Sequence, residues 1–361
     1  MSVTADSGQT FSYFTSAIAA TADALHKGGA FVDIISKGTP TLDRLRQKGK
    51  INFQGGRQVA INLMYGLDTP VNSYSDLDPL TISRPDGMSE YFAPWAQYHF
   101  PVLVSGHEAR TNKGKAQIAN LLKMRFRQGM NSAKERLSDD CWDYTGLVQA
   151  SEVISSSGNG GKNIMSIPML VPAYTGMDTN DSRDYDLYGI DTSAKAYWQP
   201  QIQDGGGSLT AATLINGLRT LFLNCSKQGA GEPDLAIADY TSYANYLSAL
   251  DTKIQYTSWD KADMGFKGVE CMGATMYPDR HVPDVDNAQN WDDTVVDGSV
   301  FMLNSEHIFL AILDSADFKP ETPQKPVDQD AIVTNHFFEG QLCVDHRSCH
   351  GIMHDIPATL S

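Results

Sequence analysis

Hydrophobic residues recur at helical spacing over one unusually long stretch, and the other elements fall on either side of it. Within residues 112–145, Ile118, Leu122, Phe126, Met130, Ala133, Leu137, Cys141 and Tyr144 follow at steps of four and three, with Leu121 widening the stripe. This predicts one helix with a single buried face, roughly 50 Å long at a rise of about 1.5 Å per residue. Its charges oppose the macrodipole: Lys113, Lys115, Lys123, Arg125 and Arg127 come early, and Asp139, Asp140 and Asp143 come last. Tertiary packing must therefore hold it. Gly129 lies mid-helix at a cost of up to about 1 kcal/mol relative to Ala, and reads as a bend point or as an incidental glycine of a core helix.

Before this helix the pattern changes twice. Phe11, Phe14, Ile18, Ala22 and Leu25 predict a short helix that Gly28-Gly29 ends, and residues 31–36 a second; Thr39-Pro40 and the basic run 42–48 follow. Residues 1–50 hold too few apolar side chains for a core of their own, so their burial is expected on something else, such as another copy of the chain. Two strand-like runs, 57–64 and 91–104, then bracket a Gly-, Pro-, Asp- and Ser-rich stretch at 66–87. They read as a long hairpin excursion, only marginally stable without a supporting surface.

After the long helix, residues 147–208 are irregular. Helices are predicted at 210–223 and 240–250, and strands at 235–238, 269–276, 300–304, 307–313, 331–338, 341–345 and 351–356. Pro-rich connections separate them at 278–293 and 318–327. There are no internal repeats, and the class is α+β.

Composition narrows the function classes. Of 361 residues, 41% are apolar, enough for a substantial core in two or three lobes. Lys plus Arg number 28 against 43 Asp plus Glu, a formal charge of -15. That balance argues against a protein built to grip nucleic acid. The five Cys contain no C-x-x-C pair and read as reduced thiols of a protein made in a cytoplasm. The N-terminus lacks the basic start and apolar run of a signal peptide, and no segment approaches the ~20 apolar residues of a membrane span.

Candidate chemistry is thin. The glycine loop at 157–163 has Ser156 and Asn163 where a phosphate loop requires Gly and Ser or Thr. The tail carries Cys343, His346, Cys349, His350 and His354, a tempting zinc set. On an extended segment the cysteines and histidines alternate to opposite faces, so packing and hydrogen bonding are the favoured roles. The loop at 284–289 starts like a calcium site but puts Ala288 at the third ligand position. With no G-x-S-x-G or H-E-x-x-H, no catalytic, cofactor-binding or metal residue is assigned, and the chain is not read as an enzyme.

Several short passages stand in order along the chain: Leu45-Arg46-Gln47-Lys48-Gly49-Lys50 with Gly55-Gly56-Arg57 and Met64-Tyr65-Gly66, and residues 98–108 leading into Asn112-Lys113-Gly114. Gly189-Ile190-Asp191 with Tyr197-Trp198, Met302-Leu303-Asn304, and Gly340-Gln341-Leu342-Cys343 with Gly351 continue them. Together with the order of elements, these passages resemble the major capsid proteins of tailed double-stranded DNA bacteriophages over nearly the whole chain.

The resemblance implies an N-terminal arm (1–50), an extended β-hairpin loop (51–104), a peripheral domain (105–208 and 336–361) built on the long spine helix, and an axial domain (209–335). It implies hexamers and pentamers closing an icosahedral head around double-stranded DNA. Scaffolding protein, portal and a decoration protein are the implied partners, with no membrane. The chain would be assembled in the host cytoplasm and reside in the virion. A spine helix bent in precursors and straighter in mature particles would give Gly129 a role. Some relatives join a loop Lys covalently to an Asn of another subunit; between Gln54 and Tyr98 this chain has Arg57 and Arg84 but no Lys. No room is expected before the arm for a fused scaffold domain. A cellular nanocompartment shell of the same fold, encapsulin-like and enclosing enzyme cargo, is the alternative, and a soluble enzyme with a dispersed active site the third reading.

Overall fold

A computed structural model describes residues 40–48, 50–53, 55–64, 73–76, 78, 88–111, 115–143, 153–154, 162–171, 186–187, 190, 196–206, 208–227, 229, 231–250, 269–282, 298–326 and 328–360. The expected helices at 11–25 and 31–36, most of the hairpin tip, the glycine loop at 157–161 and the acidic loop at 284–289 lie outside these residues.

The described chain begins with helix α1 (Pro40–Lys48) and the short strand β1 (Lys50–Phe53). The hairpin excursion follows as β2 (Gln58–Met64) and β3 (Met88–Pro94), paired antiparallel from Gln58 opposite Pro94 to Met64 opposite Met88. The run read as one strand at 91–104 breaks at Trp95, and β4 (Ala96–Ser105) leaves the ribbon to pair with a distant strand. A short α2 (Gly106–Thr111) leads into the long helix α3 (Lys115–Trp142). Phe126, Met130, Leu137 and Cys141 of the predicted stripe are buried on it.

Beyond α3 come β5 (Val153–Ile154), α4 (Ile167–Leu170), β6 (Asp186–Leu187), β7 (Gln201–Asp204), α5 (Ala211–Ser226), β8 (Leu235–Ala238) and α6 (Tyr240–Leu250). The predicted strand at 269–276 is a hairpin, β9 (Val269–Cys271) and β10 (Ala274–Pro278). Met272 and Gly273, both at positive φ (52° and 99°), turn the chain between them. The order closes with β11 (Gly298–Leu303), β12 (Ile308–Pro320), β13 (Ala331–Val344) and β14 (Gly351–Ile356).

Two sheets organise these elements. A four-stranded sheet has the order β1-β12-β13-β4, and a six-stranded sheet the order β7-β14-β11-β8-β10-β9. Both faces of the six-stranded sheet are covered, which is why β8 reads as an uninterrupted apolar run. Leu235, Ile237, Tyr277, Phe301 and Leu303 point into the main core shared with the four-stranded sheet and α3. Ala236, Ala238, Met276, Val300 and Met302 point into a second core under α5 and α6. Thr210 caps α5: its side chain accepts from the Thr213 amide, and the Thr213 side chain accepts from the Thr210 amide.

The sheets divide the chain differently from the expected domain spans. The boundary at 335/336 falls inside the continuous strand β13. From the span expected to be axial, β12 joins the four-stranded sheet; from the span expected to be peripheral, β7 and β14 join the six-stranded one. β14 enters that sheet by pairing with β11 and β7, neither of them near it in sequence.

Burial also corrects the expectation for the first fifty residues where they are described. Leu42 and Leu45 of α1 enter the main core of their own chain. Thr41 Oγ1 donates to Asp279 Oδ2 at 2.6 Å, and Arg44 pairs with Asp234 at 2.8 Å. The hairpin base likewise has its own support: Val59, Leu63, Tyr91 and Ala93 are buried, while Ala60, Asn62, Glu90 and Phe92 on the opposite face are exposed. Each large side chain so buried contributes roughly 1.5–3 kcal/mol to holding the base on its own chain.

Candidate functional site

The tail cluster is built on the end of β13, a 3-10 turn (Arg347–Cys349) and β14, so it is not the single extended segment assumed from sequence. Several of its groups make internal bonds, while His350 Nε2 and His354 Nδ1 are buried without a hydrogen-bond partner among the described residues. Cys349 Sγ donates to the His346 carbonyl at 2.9 Å, and the Asn304 amide donates to His350 Nδ1 at 3.1 Å. His307 Nδ1 bonds Asp345 at 2.8 Å. Burial holds His350 well below its ordinary range, at about 3, with the neighbouring His307 pushing the same way; burial also lowers His346 and His354. The thiols of Cys343 and Cys349 are pushed up by the same desolvation. Among the described residues, no three His, Cys, Asp or Glu side chains converge on a point that could hold a metal ion. All five cysteines are free and buried.

The second arrangement lies where α3 crosses the four-stranded sheet. Phe100 of β4 stacks on His336 of β13 with ring centres 4.7 Å apart and planes 5° from parallel. Phe126 of α3 meets His336 edge-on at 5.1 Å, and Phe318 stacks on Phe338 at 4.7 Å. Gly129 faces this aromatic layer: a Cβ there would lie 2.7 Å from Phe100 Cδ2. The glycine therefore lets helix and strand approach, a role its mid-helix position did not reveal. His336 is buried, and desolvation lowers it to about 4, so at neutral pH it packs as an uncharged ring.

In the last turn of α3, Asp140 anchors the adjoining loop. It accepts from Tyr98 Oη at 2.8 Å and Asn163 Nδ2 at 3.0 Å, and pairs with Arg136 at 3.0 Å. Burial pushes its carboxyl up to about 6, against the pull of Tyr98 and Arg136. Nearby, Trp142 meets Phe301 of the six-stranded sheet edge-on at 5.1 Å. Arg280 and His281, just after β10, reach Glu135 and Asp139 of α3. Apart from the i, i+4 pair Arg136 and Asp140, none of these partnerships was legible in the sequence, since their members lie 23 to more than a hundred positions apart. Only the i, i+3 pair Leu42 and Leu45 inside the basic run signalled that α1 has a buried side.

Exposed apolar groups mark the remaining surface. Leu103 and Phe337 lie on the outward face of the β4–β13 pair, 44% and 40% exposed, and Phe92 on the outer face of the ribbon is 51% exposed. His99, in register opposite Phe337, shares that face. No helix among the described residues is long and apolar enough to cross a membrane. Nothing among these residues groups a nucleophile, a base and an orienting partner in an open cleft.

A scan of known protein families finds no match, and a search of curated proteins finds none either. Solved structures do match. The cyanophage A-1(L) capsid asymmetric unit superimposes with a TM-score of 0.60 at 13% identity, covering 88% of this chain and 92% of that one. The encapsulin of the holo-SrpI complex from Synechococcus elongatus PCC 7942 gives 0.52 at 10% identity, with 87% of each chain covered. The capsid of a native GTA particle gives 0.52 at 10% identity, covering 86% and 89%. Sequence identity this low carries the architecture alone, and the architecture is matched over nearly the full length on both sides. The hairpin ribbon, the long helix on a four-stranded sheet and the six-stranded sheet with its helices are thus parts of one known design: the chain has the major capsid protein fold of tailed bacteriophages.

Proposed function

We propose that this protein is the major capsid protein of a tailed bacteriophage, a structural subunit whose copies form hexamers and pentamers and close an icosahedral head around double-stranded DNA. The observation that carries this reading is the two-sided coverage of the cyanophage capsid subunit, 88% of this chain and 92% of that one. A shell subunit is almost all architecture, so a match leaving little of either chain unpaired has little room for a separate activity. In this reading the four-stranded sheet with α3 is the peripheral part, the six-stranded sheet with α5 and α6 the axial part, and the β2–β3 ribbon the base of the extended loop. The outward faces bearing Phe92, Leu103 and Phe337 are then available to neighbouring subunits, and repeated contacts of this heterologous kind close into rings and shells. The subunit is not an enzyme and needs no cofactor; scaffolding protein, portal and a decoration protein are its partners, and the virion is its place.

A second reading has its own observation. The encapsulin match covers 87% of each chain, which supports a cellular nanocompartment shell enclosing protein cargo. Electron microscopy of the expressed protein, alone and with a scaffolding protein, tests both. Closed shells that package DNA through a portal vertex support the phage head. Shells purified with protein cargo and no nucleic acid support the nanocompartment, and a small soluble oligomer under every condition refutes both.

A further inference from the structure

Four polar side chains form a closed circuit between the long helix and the six-stranded sheet. Glu135 and Asp139 stand one turn apart on α3, and Arg280 and His281 are consecutive in the turn that follows β10. Arg280 Nη2 pairs with Glu135, Arg280 Nε donates to His281 Nε2 at 3.0 Å, and His281 Nδ1 bonds Asp139 at 2.7 Å. Because Nε2 accepts from the guanidinium, the imidazole proton sits on Nδ1 and is donated to Asp139. The circuit thus starts and ends on the same helix.

Its loop side is anchored from below. Asp279 Oδ1 accepts from the His281 amide at 3.1 Å, and Asp279 Oδ2 accepts from Thr41 Oγ1 of α1 at 2.6 Å. Val282, the next residue, is buried in the main core. Beside it Trp142 of α3 makes an apolar contact with Phe301 of the sheet. Apolar contact is non-directional and tolerates sliding. The hydrogen-bonded circuit is directional, so it sets the register of helix against sheet.

We propose that this circuit is a latch between the layers, releasable by salt, which fixes where the last turns of α3 meet the six-stranded sheet. Its charged members are open to solvent, with side-chain exposures of 54% for Arg280, 49% for Glu135 and 64% for Asp139. Ions therefore reach and screen them, while the apolar contact beside them is not weakened in the same way. The latch belongs to the single subunit, and its test does not depend on what the subunit assembles into.

Hydrogen–deuterium exchange of the full-length protein reads the latch directly, at about 0.05 M and about 0.5 M salt, across a several-fold change in screening length. The ring-breaking variant Glu135→Gln with Asp139→Asn is expected to exchange about fivefold faster in the last turns of α3 and at 279–282, with β8 unchanged. High salt should bring the unsubstituted protein towards the same rates. Glu135→Arg alone should open the latch, and adding Arg280→Glu should close it again. Unchanged rates at both segments in the ring-breaking variant overturn the proposal, as does equal acceleration in β8. A charge-swapped pair no slower in exchange than Glu135→Arg alone overturns it too.

Discussion

Adding one methyl group at Gly129 sets two effects of known size against each other. In an exposed helix, Gly→Ala gains about 0.8–1.0 kcal/mol from backbone propensity. Here the new Cβ would lie 2.7 Å from Phe100 Cδ2 and 3.0 Å from Cε2. Carbon atoms rest near 3.5–4.0 Å, so the ring must retreat by roughly 0.7 Å. It has nowhere easy to go, since Phe100 is stacked on His336 and flanked by Phe126 and Phe318. Overpacking of this kind costs about 1–3 kcal/mol. Gly129→Ala is therefore expected to destabilise by up to about 2 kcal/mol in spite of its propensity gain. Phe100→Ala alone should cost about 3–5 kcal/mol, but it opens space at that point. In that background Gly129→Ala should reverse sign and stabilise by about 1 kcal/mol. Urea denaturation of the four full-length proteins, followed by tryptophan fluorescence, gives the cycle. Effects that add to within about 0.5 kcal/mol would refute the reasoning and return Gly129 to the role of a bend point or an incidental glycine.

The remaining predictions concern pH, packing, capping and covalent chemistry. Because His336 is held at about 4 in the folded state and 6.5 is its ordinary value, the unfolded chain takes up the proton first. Its contribution is fully present above pH 6.5 and lost as pH falls towards 4, about 3 kcal/mol in all. His336→Phe should flatten that part of an acid-denaturation profile. His350, also held low, adds to the acid loss, while Asp140, raised to about 6, opposes it, since the folded state there binds the proton first. Trp142→Ala should cost about 3–5 kcal/mol by emptying the contact with Phe301, and an unchanged thermal midpoint would contradict this. Thr210→Ala should cost about 1 kcal/mol and Thr210→Ser almost nothing, read as shifts in thermal midpoint. Purified particles should run as single subunits on a denaturing gel, because no Lys lies between Gln54 and Tyr98; a covalent ladder would contradict this.

Periodicity alone determined much of this molecule. The stripe through Phe126, Met130, Leu137 and Cys141 placed α3, and the apolar run Leu235–Ala238 and the helix Tyr240–Leu250 match the structure to the residue. These signals are local, because burial on one face repeats with the geometry of the element itself. What failed needed information from elsewhere in the chain. Residues 91–104 are one apolar pattern, yet Trp95 splits them because Pro94 completes the pairing with β2 whereas Ala96 begins a pairing with β13. Met272 carries no letter-level sign of the positive φ that turns β9 into β10. Residues 42–48 read as a bare basic run, while Thr41 finds its partner 238 positions away at Asp279. Which sheet each strand joins, what fills the space beside Gly129 and which charges close the ring on α3 were decided only in three dimensions. Such contacts arise from chain segments that share no sequence neighbourhood, and no local period encodes them.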